Sequence, residues 1–302
     1  MNQTDAALLE LLETLYARDY RFVTPTPATH ARVVARPGRR TASCLEDVLG
    51  WSLPFAPDLL DGETLRLLRA GDAVEPAGEG LLRATIRGSS LKGRLYLHSA
   101  YPTHDEDAVF FGPDSYRFAD LIEAELGEGA GHIVDIGTGA GVGAIVAGRL
   151  RPEAKITMTD INPKALRLAA INARAAGVAA LGIEGDGLSG VEDPIDVALA
   201  NPPYIIDETD RTYRNGGAML GAQVSLDMVR MALDRLVPGG RVILYTGSAI
   251  VDGRDGLREA LEGLGATLQY REIDPDVFGE ELDEPAYSEV DRIALVAAIL
   301  TK

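Results

Sequence analysis

Asp135-Ile-Gly-Thr-Gly-Ala-Gly-Val-Gly143 is the stretch that decides the fold. An apolar run at 132–137 leads into it and helical apolar spacing over 141–150 leads out, so the glycines sit in a strand-to-helix turn. Gly137, Gly139 and Gly141 permit a tight turn and a close backbone approach to a ligand. Around this turn the pattern alternates. Helices are predicted at 114–127, 163–176, 224–236 and 254–264, and strands at 155–160, 180–184, 195–200 and 240–247. Such alternation predicts an α/β fold: a doubly wound, mostly parallel seven-stranded sheet. Strand signals at 266–273 and 291–300 are separated only by a loop at 274–290. Without a crossover helix, that pair is expected to be antiparallel.

The preceding third of the chain reads differently. Residues 4–18 carry helical spacing, 23–42 read as irregular, and 45–51 as a short helix. Asp61 is placed to cap a helix running to about Leu68. Residues 81–87 and 91–98 alternate around Gly88-Ser-Ser90, a hairpin signal. The chain therefore divides into a smaller α+β, winged-helix-like segment at 1–100, a linker at 101–113 and a larger ligand-binding unit at 114–302. The first part is read as a substrate-recognition or lid domain.

Charge is distributed unevenly. The net charge of −17 falls wholly on residues 101–302, with 17 Lys/Arg against 34 Asp/Glu; residues 1–100 hold 12 of each. An acidic larger half argues against a polyanionic partner, because nucleic-acid binding draws on a basic surface. The basic run Arg32, Arg36, Arg39 and Arg40 is short and reads as a solvated loop. Cys44 is the only cysteine and reads as a buried small residue; no disulfide or cysteine metal cluster can form within the chain, and no metal site is expected. No run of eighteen apolar residues predicts a membrane span, and the N-terminus lacks signal-peptide features, which points to the cytoplasm.

Chemistry enters at Asn201-Pro-Pro-Tyr204, which ends the apolar strand at 195–200. Asn201 offers a carbonyl acceptor and Pro202 leaves its own carbonyl free, so two acceptors stand side by side. That pair suits a planar NH2 group, and Tyr204 can stack on the flat system that carries it. Upstream, Asp160 ends the second strand, where it can accept from both hydroxyls of a ribose or else cap the next helix before Asn162-Pro163. Spacing alone also fits a dinucleotide site, because Gly139-x-Gly141-x-x-Ala144 matches the looser form of that fingerprint. Asp186, in Gly185-Asp-Gly187, follows the third strand; Phe111-Gly-Pro-Asp-Ser115 opens the first helix of the larger unit.

Asn-Pro-Pro-Tyr at this distance from the glycine turn and Asp160 resembles the signature of class I S-adenosylmethionine (SAM) dependent amino-methyltransferases. That group includes the release-factor glutamine, adenine-N6 and guanine-N2 enzymes. The resemblance covers about residues 109–300. It implies that Asp135, Gly137, Gly139, Gly141 and Asp160 hold SAM, that Asp186 meets the adenine amino group, and that the Phe111 segment closes over the methionine. It implies also that Asn201 and the Pro202 carbonyl hold the target nitrogen beside the cofactor, with Pro203 and Tyr204 against the acceptor. Two features depart from the release-factor enzymes. A hairpin-bearing segment replaces their helical bundle, and the loop after Tyr204 carries Arg211-Thr-Tyr-Arg-Asn-Gly-Gly217, similar to a less defined branch of the family. There Arg211 and Arg214 can clamp a carboxylate or phosphate of the substrate, or pair with neighbouring acids.

The function expected from these residues is methyl transfer from SAM to a planar amide or amine nitrogen of a protein or small molecule. Base N-methylation of RNA or DNA is the alternative that the same motif serves. A non-methylating alkyl transfer from SAM also fits the fold. An NAD-dependent oxidoreductase would use the glycine turn but gives no reason for Asn201–Tyr204.

Overall fold

The computed structural model describes residues 2–103, 105–206 and 215–302. The N-terminal third opens with helices α1 (Gln3–Ala17), α2 (Pro27–Val34), α3 (Leu45–Leu49) and α4 (Gly62–Ala70). Asp61 caps α4 as expected, accepting from the Thr64 amide at 3.1 Å. Two hairpins follow, β1 (Val74–Gly78) with β2 (Leu81–Ala84), and β3 (Ile86–Leu91) with β4 (Arg94–Ser99).

Three expectations are corrected here. Residues 23–42 are not wholly irregular: Thr26 caps α2, with Pro27 at its first turn, where a missing N–H costs nothing. The turn of the second hairpin is Lys92-Gly93, not Gly88-Ser-Ser90. Both turn residues have positive φ (49° and 71°), as a two-residue hairpin turn demands, while Gly88 to Ser90 lie inside β3. Cys44 is exposed, at the residue before α3, rather than buried.

The larger unit alternates as the sequence predicts. Its elements are α5 (Pro113–Glu125), β5 (His132–Ile136), α6 (Val142–Leu150), β6 (Lys155–Asp160), α7 (Pro163–Ala175), β7 (Ala180–Glu184) and β8 (Ile195–Ala200). Then come α8 (Gln223–Arg235), β9 (Leu236–Val251), the two-residue β10 (Arg254–Asp255), α9 (Gly256–Glu262), β11 (Thr267–Val277) and β12 (Arg292–Thr301). Strand order is β11-β12-β9-β8-β5-β6-β7, with β10 paired to β9 off this path. Neighbours from β9 through β7 are parallel, whereas β12 runs antiparallel to both β9 and β11. The doubly wound, mostly parallel sheet and its antiparallel closing pair are therefore both present.

Alternation along the strands feeds two cores. Ile133, Val197, Leu199, Ile243 and Tyr245 face the layer of α5, α6 and α7. Val134, Ile136, Ala198, Ala200 and Leu244 face α8 and α9 through Leu226, Val229, Leu257 and Leu261. A strand buried on both faces reads as a continuous apolar run for this reason. The N-terminal third covers the first layer. Asn172 of α7, fully buried, accepts from the Leu97 amide (2.8 Å) and donates to the carbonyls of Leu97 and Ala140 (2.9 Å each). One side chain thus joins β4, α7 and the glycine turn. Salt bridges Arg167–Asp5 (2.6 Å) and Lys92–Glu123 (2.7 Å) reinforce the contact at the rim.

Candidate functional site at the carboxyl edge of the sheet

Register brings the motifs together. Ile136 of β5 pairs with Ala200 of β8, so Gly137 and Asn201 leave the sheet side by side. On the other flank Ile136 pairs with Thr159, which sets Asp160 beside Gly137, and Asp160 pairs in turn with Glu184, two residues before Asp186. The chain runs from β5 outward to β6 and β7 in one direction, and β8 lies on the opposite side of β5. This reversal of strand order opens a crevice at the carboxyl ends, the place where open α/β sheets bind ligands.

Asp135 organises the turn from beneath. It is buried and accepts from the Thr138 hydroxyl (2.6 Å) and the Ala144 amide (2.9 Å). Burial pushes its carboxyl up to about 7, although those two donors oppose the shift. Gly141 has φ of +85°, a conformation that favours glycine, and a Cβ there would stand a tight 3.1 Å from Ala169 of α7. Gly139 also has positive φ (+54°), yet a Cβ on it would meet nothing within 4 Å. Its free side is open crevice. Asp160 accepts from the Gly139 and Asn162 amides, each at 2.9 Å. Burial raises its pKa against those bonds. The cap of α7 is Asn162, whose side chain accepts from the Lys164 amide; Asp160 is not the cap.

Exposure separates residues that can meet a ligand from those that support them. Gly137 and Asp186 are exposed, and Gly139, Asp160, Asn201 and Pro203 are half-buried. Pro202 is buried. Phe111 is 2% exposed: its ring stacks on His98 (5.0 Å) and meets Tyr96 and Tyr116 (5.5 Å each). The ring packs the start of α5 against the second hairpin. Arg211 and Arg214 lie outside the described residues, as does His104. His132, which the chemistry does not require, is buried between the Pro194 carbonyl (2.8 Å) and the Thr157 hydroxyl (2.9 Å).

Tyr204 is buried as well, and here the structure adds residues that the sequence did not mark. Its hydroxyl donates to Asp114 Oδ2 at 2.9 Å, and Tyr245 of β9 donates to Asp114 Oδ1 at 2.8 Å. Gly112 is the N-cap of α5, its amide donating to Ser115 Oγ at 3.4 Å. Burial raises the Asp114 pKa, while both tyrosine hydroxyls and Arg117 oppose the rise. Gly247 makes room for the ring, since a Cβ there would lie 2.3 Å from Tyr204. Phe278 meets the ring edge-on at 5.8 Å, and Tyr287 accepts from the Ile206 amide at 2.8 Å. Tyr204 thus anchors the segment behind Asn201, and a stacking face toward an acceptor is not what its burial provides. Only Asp114 among these partners stood in a stretch that the sequence singled out.

The family model described as "Methyltransferase small domain" matches residues 118–265. A release factor glutamine methyltransferase of Deinococcus radiodurans is 28% identical over 292 residues, covering 91% of this chain and 96% of that protein. One of Cereibacter sphaeroides is 35% identical over 176 residues, covering 53% of this chain and 61% of its own length. A ribosomal RNA small subunit methyltransferase C of Pseudomonas entomophila is 27% identical over 128 residues, 42% of this chain and 36% of that one.

Proposed function

We propose that this chain, which belongs to the class I SAM-dependent methyltransferases, methylates the side-chain amide nitrogen of a glutamine in a partner protein. One observation carries the reading: Asn201-Pro-Pro-Tyr204 and the glycine turn leave adjacent parallel strands in register, at the point where the strand order reverses. A ligand in the turn is then next to a group held by Asn201. The choice of a glutamine amide rests on the Deinococcus relative, which matches along nearly its whole length. The ribosomal RNA relative matches over only about a third of its own.

The turn fits SAM. Open space beside Gly139 admits a ligand against the backbone, and the two oxygens of Asp160 keep acceptor capacity for ribose hydroxyls after bonding the Gly139 and Asn162 amides. Gly137, Gly139, Gly141 and Asp160 would hold the cofactor, with Asp186 at the adenine end; Asp135 holds the turn itself. SAM supplies an electrophilic methyl group on sulfonium when bound.

The remaining work is alignment. Asn201 Oδ1 and the Pro202 carbonyl accept the two N–H bonds of the target amide and fix its nitrogen in place, converting a bimolecular encounter into an oriented one. An amide lone pair is delocalised, and bonds to both hydrogens favour the pyramidal nitrogen that attack requires. Positive charge would grow on that nitrogen as the methyl–sulfonium bond gives way to a neutral thioether; two fixed acceptors stabilise it, and the nitrogen, acidic once methylated, releases one N–H proton to water. Tyr204, tied to Asp114, keeps the Asn201 segment from shifting. Pro203, half-buried beside Asn201, packs against the acceptor chain.

The test is to incubate the chain with SAM and either a release factor or ribosomal RNA, and to find the methyl group by mass spectrometry. The expected product is a methylated glutamine in the protein. Methylated RNA beside unmodified protein would overturn the assignment in favour of base methylation.

A further inference from the structure

Resting on the glutamine-methylation reading above, we propose that Met219 is a specificity residue: the apolar contact for the stretch of partner protein that flanks the target glutamine. Met219, Leu220 and Gly221 follow one another in the left-handed region, with φ of +55°, +54° and +92°. That region suits glycine; a Cβ crowds the following carbonyl there, and residues normally visit it singly. Nine non-glycine residues among those described have positive φ, and six of them are Asp, Ser, Glu or Lys. The other three are Met219, Leu220 and Phe278, and all three belong to segments packed around Tyr204.

The turn is held from several sides. The Gly221 and Gln223 amides donate to the Ala218 carbonyl at 3.1 Å each, and the Ala222 amide donates to the Met219 carbonyl at 3.2 Å. Just before it, the Gly216 amide donates to the Ile205 carbonyl at 2.7 Å. The backbones lie so close that a Cβ on Gly221 would stand 2.3 Å from the Tyr204 carbonyl oxygen. Bulky residues keep a sparsely populated backbone only where the surroundings impose it, and such positions gather at functional sites. Leu220 and Phe278 have a packing reason, since both rest against the core. Met219 is 40% exposed, so packing does not explain an apolar side chain where glycine or asparagine would take the same backbone more easily.

Its place supplies the reason. The strands run in the order β9-β8-β5-β6-β7. The glycine turn and Asp160 follow β5 and β6, whereas the 219–221 turn packs on β9, on the other flank of β8 and Asn201. SAM on the first flank leaves the second for the acceptor chain, which reaches Asn201 past Met219. An unbranched, polarizable thioether adapts to irregular apolar surfaces, and the constrained turn fixes where it stands. The partner chemistry is therefore an apolar stretch beside a neutral amide.

Met219→Gly, Met219→Asn and Met219→Leu in the whole chain test this, with SAM as donor and a release factor as acceptor. Met219→Gly and Met219→Asn should raise KM for the protein about tenfold, the loss of one buried apolar side chain. Met219→Leu keeps the apolar contact and should restore KM. In all three, kcat and SAM affinity by calorimetry should stay within about twofold of wild type, because uniform acceptor binding alone is lost. The melting temperatures of Met219→Gly and Met219→Asn should be at or above wild type, as both residues enter the left-handed region readily. An unchanged KM in both variants would overturn the proposal. So would an equal loss of SAM affinity, or a melting temperature lowered by several degrees, which would make Met219 a packing residue. A wild-type chain that methylates RNA and leaves the release factor unmodified would instead overturn the glutamine reading, and this contact with it.

Discussion

At the scale of single residues, Asp114 and Asp135 are two buried carboxyls that hold the backbone and side chains around the site. Asp114 rests on two tyrosine hydroxyls, so removing one leaves a buried acceptor short of a donor. Tyr204→Phe should therefore destabilise the chain by about 1–3 kcal/mol, despite preserving the ring. Tyr245→Phe should do the same, and the double variant should show coupling, since both act on one carboxyl. Chemical denaturation checks this; a Tyr204→Phe midpoint equal to wild type would show that the bond contributes nothing. Asp135 gives a pH signature. An unfolded aspartate loses its proton near pH 4, whereas the folded group keeps its proton up to about 7. Between those values the folded state binds more protons, so stability present below about pH 4 is lost as pH rises through about 7. Asp135→Asn removes that titration. The melting temperature of wild type relative to the variant should fall across this window and level above it; a constant difference would contradict the raised pKa.

At the scale of elements, the join between β4, α7 and the glycine turn depends on Asn172. Replacing it with alanine leaves the Leu97 amide and two carbonyls without partners in a fully buried place. Asn172→Ala is expected to cost about 2–5 kcal/mol, as the loss of several buried bonds does. It should also weaken SAM binding, because the Ala140 carbonyl belongs to the turn. Calorimetry on the folded variant reads the second effect, and unchanged affinity would separate the join from the ligand site. The same elements explain what the sequence made legible. Glycines 137–141 and Asn201-Pro-Pro-Tyr204 are local patterns at strand ends, so they could be read one after another. The Asp114 cluster could not: its partners stand 90 and 131 residues away. Aromatic residues such as Phe111 and Tyr204 carry no mark that distinguishes a ring facing a ligand from one facing the core. In the hairpin, Gly88-Ser-Ser90 outcompeted the true turn Lys92-Gly93 because small polar residues signal turns even when a strand buries them.

At the scale of the whole molecule, the sheet gathers four strand ends into one crevice, and the N-terminal third covers the helices beside it. The net charge of −17 on the larger half sets the field around that crevice and disfavours a polyanion while leaving a neutral amide indifferent. In the proposed chemistry Asn201 aligns an amide nitrogen with a methyl donor held separately by the glycine turn. Asn201→Ala tests it most directly, with SAM affinity by calorimetry and single-turnover methyl transfer to a protein acceptor measured on the same preparation. Near wild-type SAM affinity and transfer slower by about two to three orders of magnitude are expected, the usual loss for one preorganised polar partner. Transfer at the wild-type rate, or a loss confined to SAM binding, would contradict it.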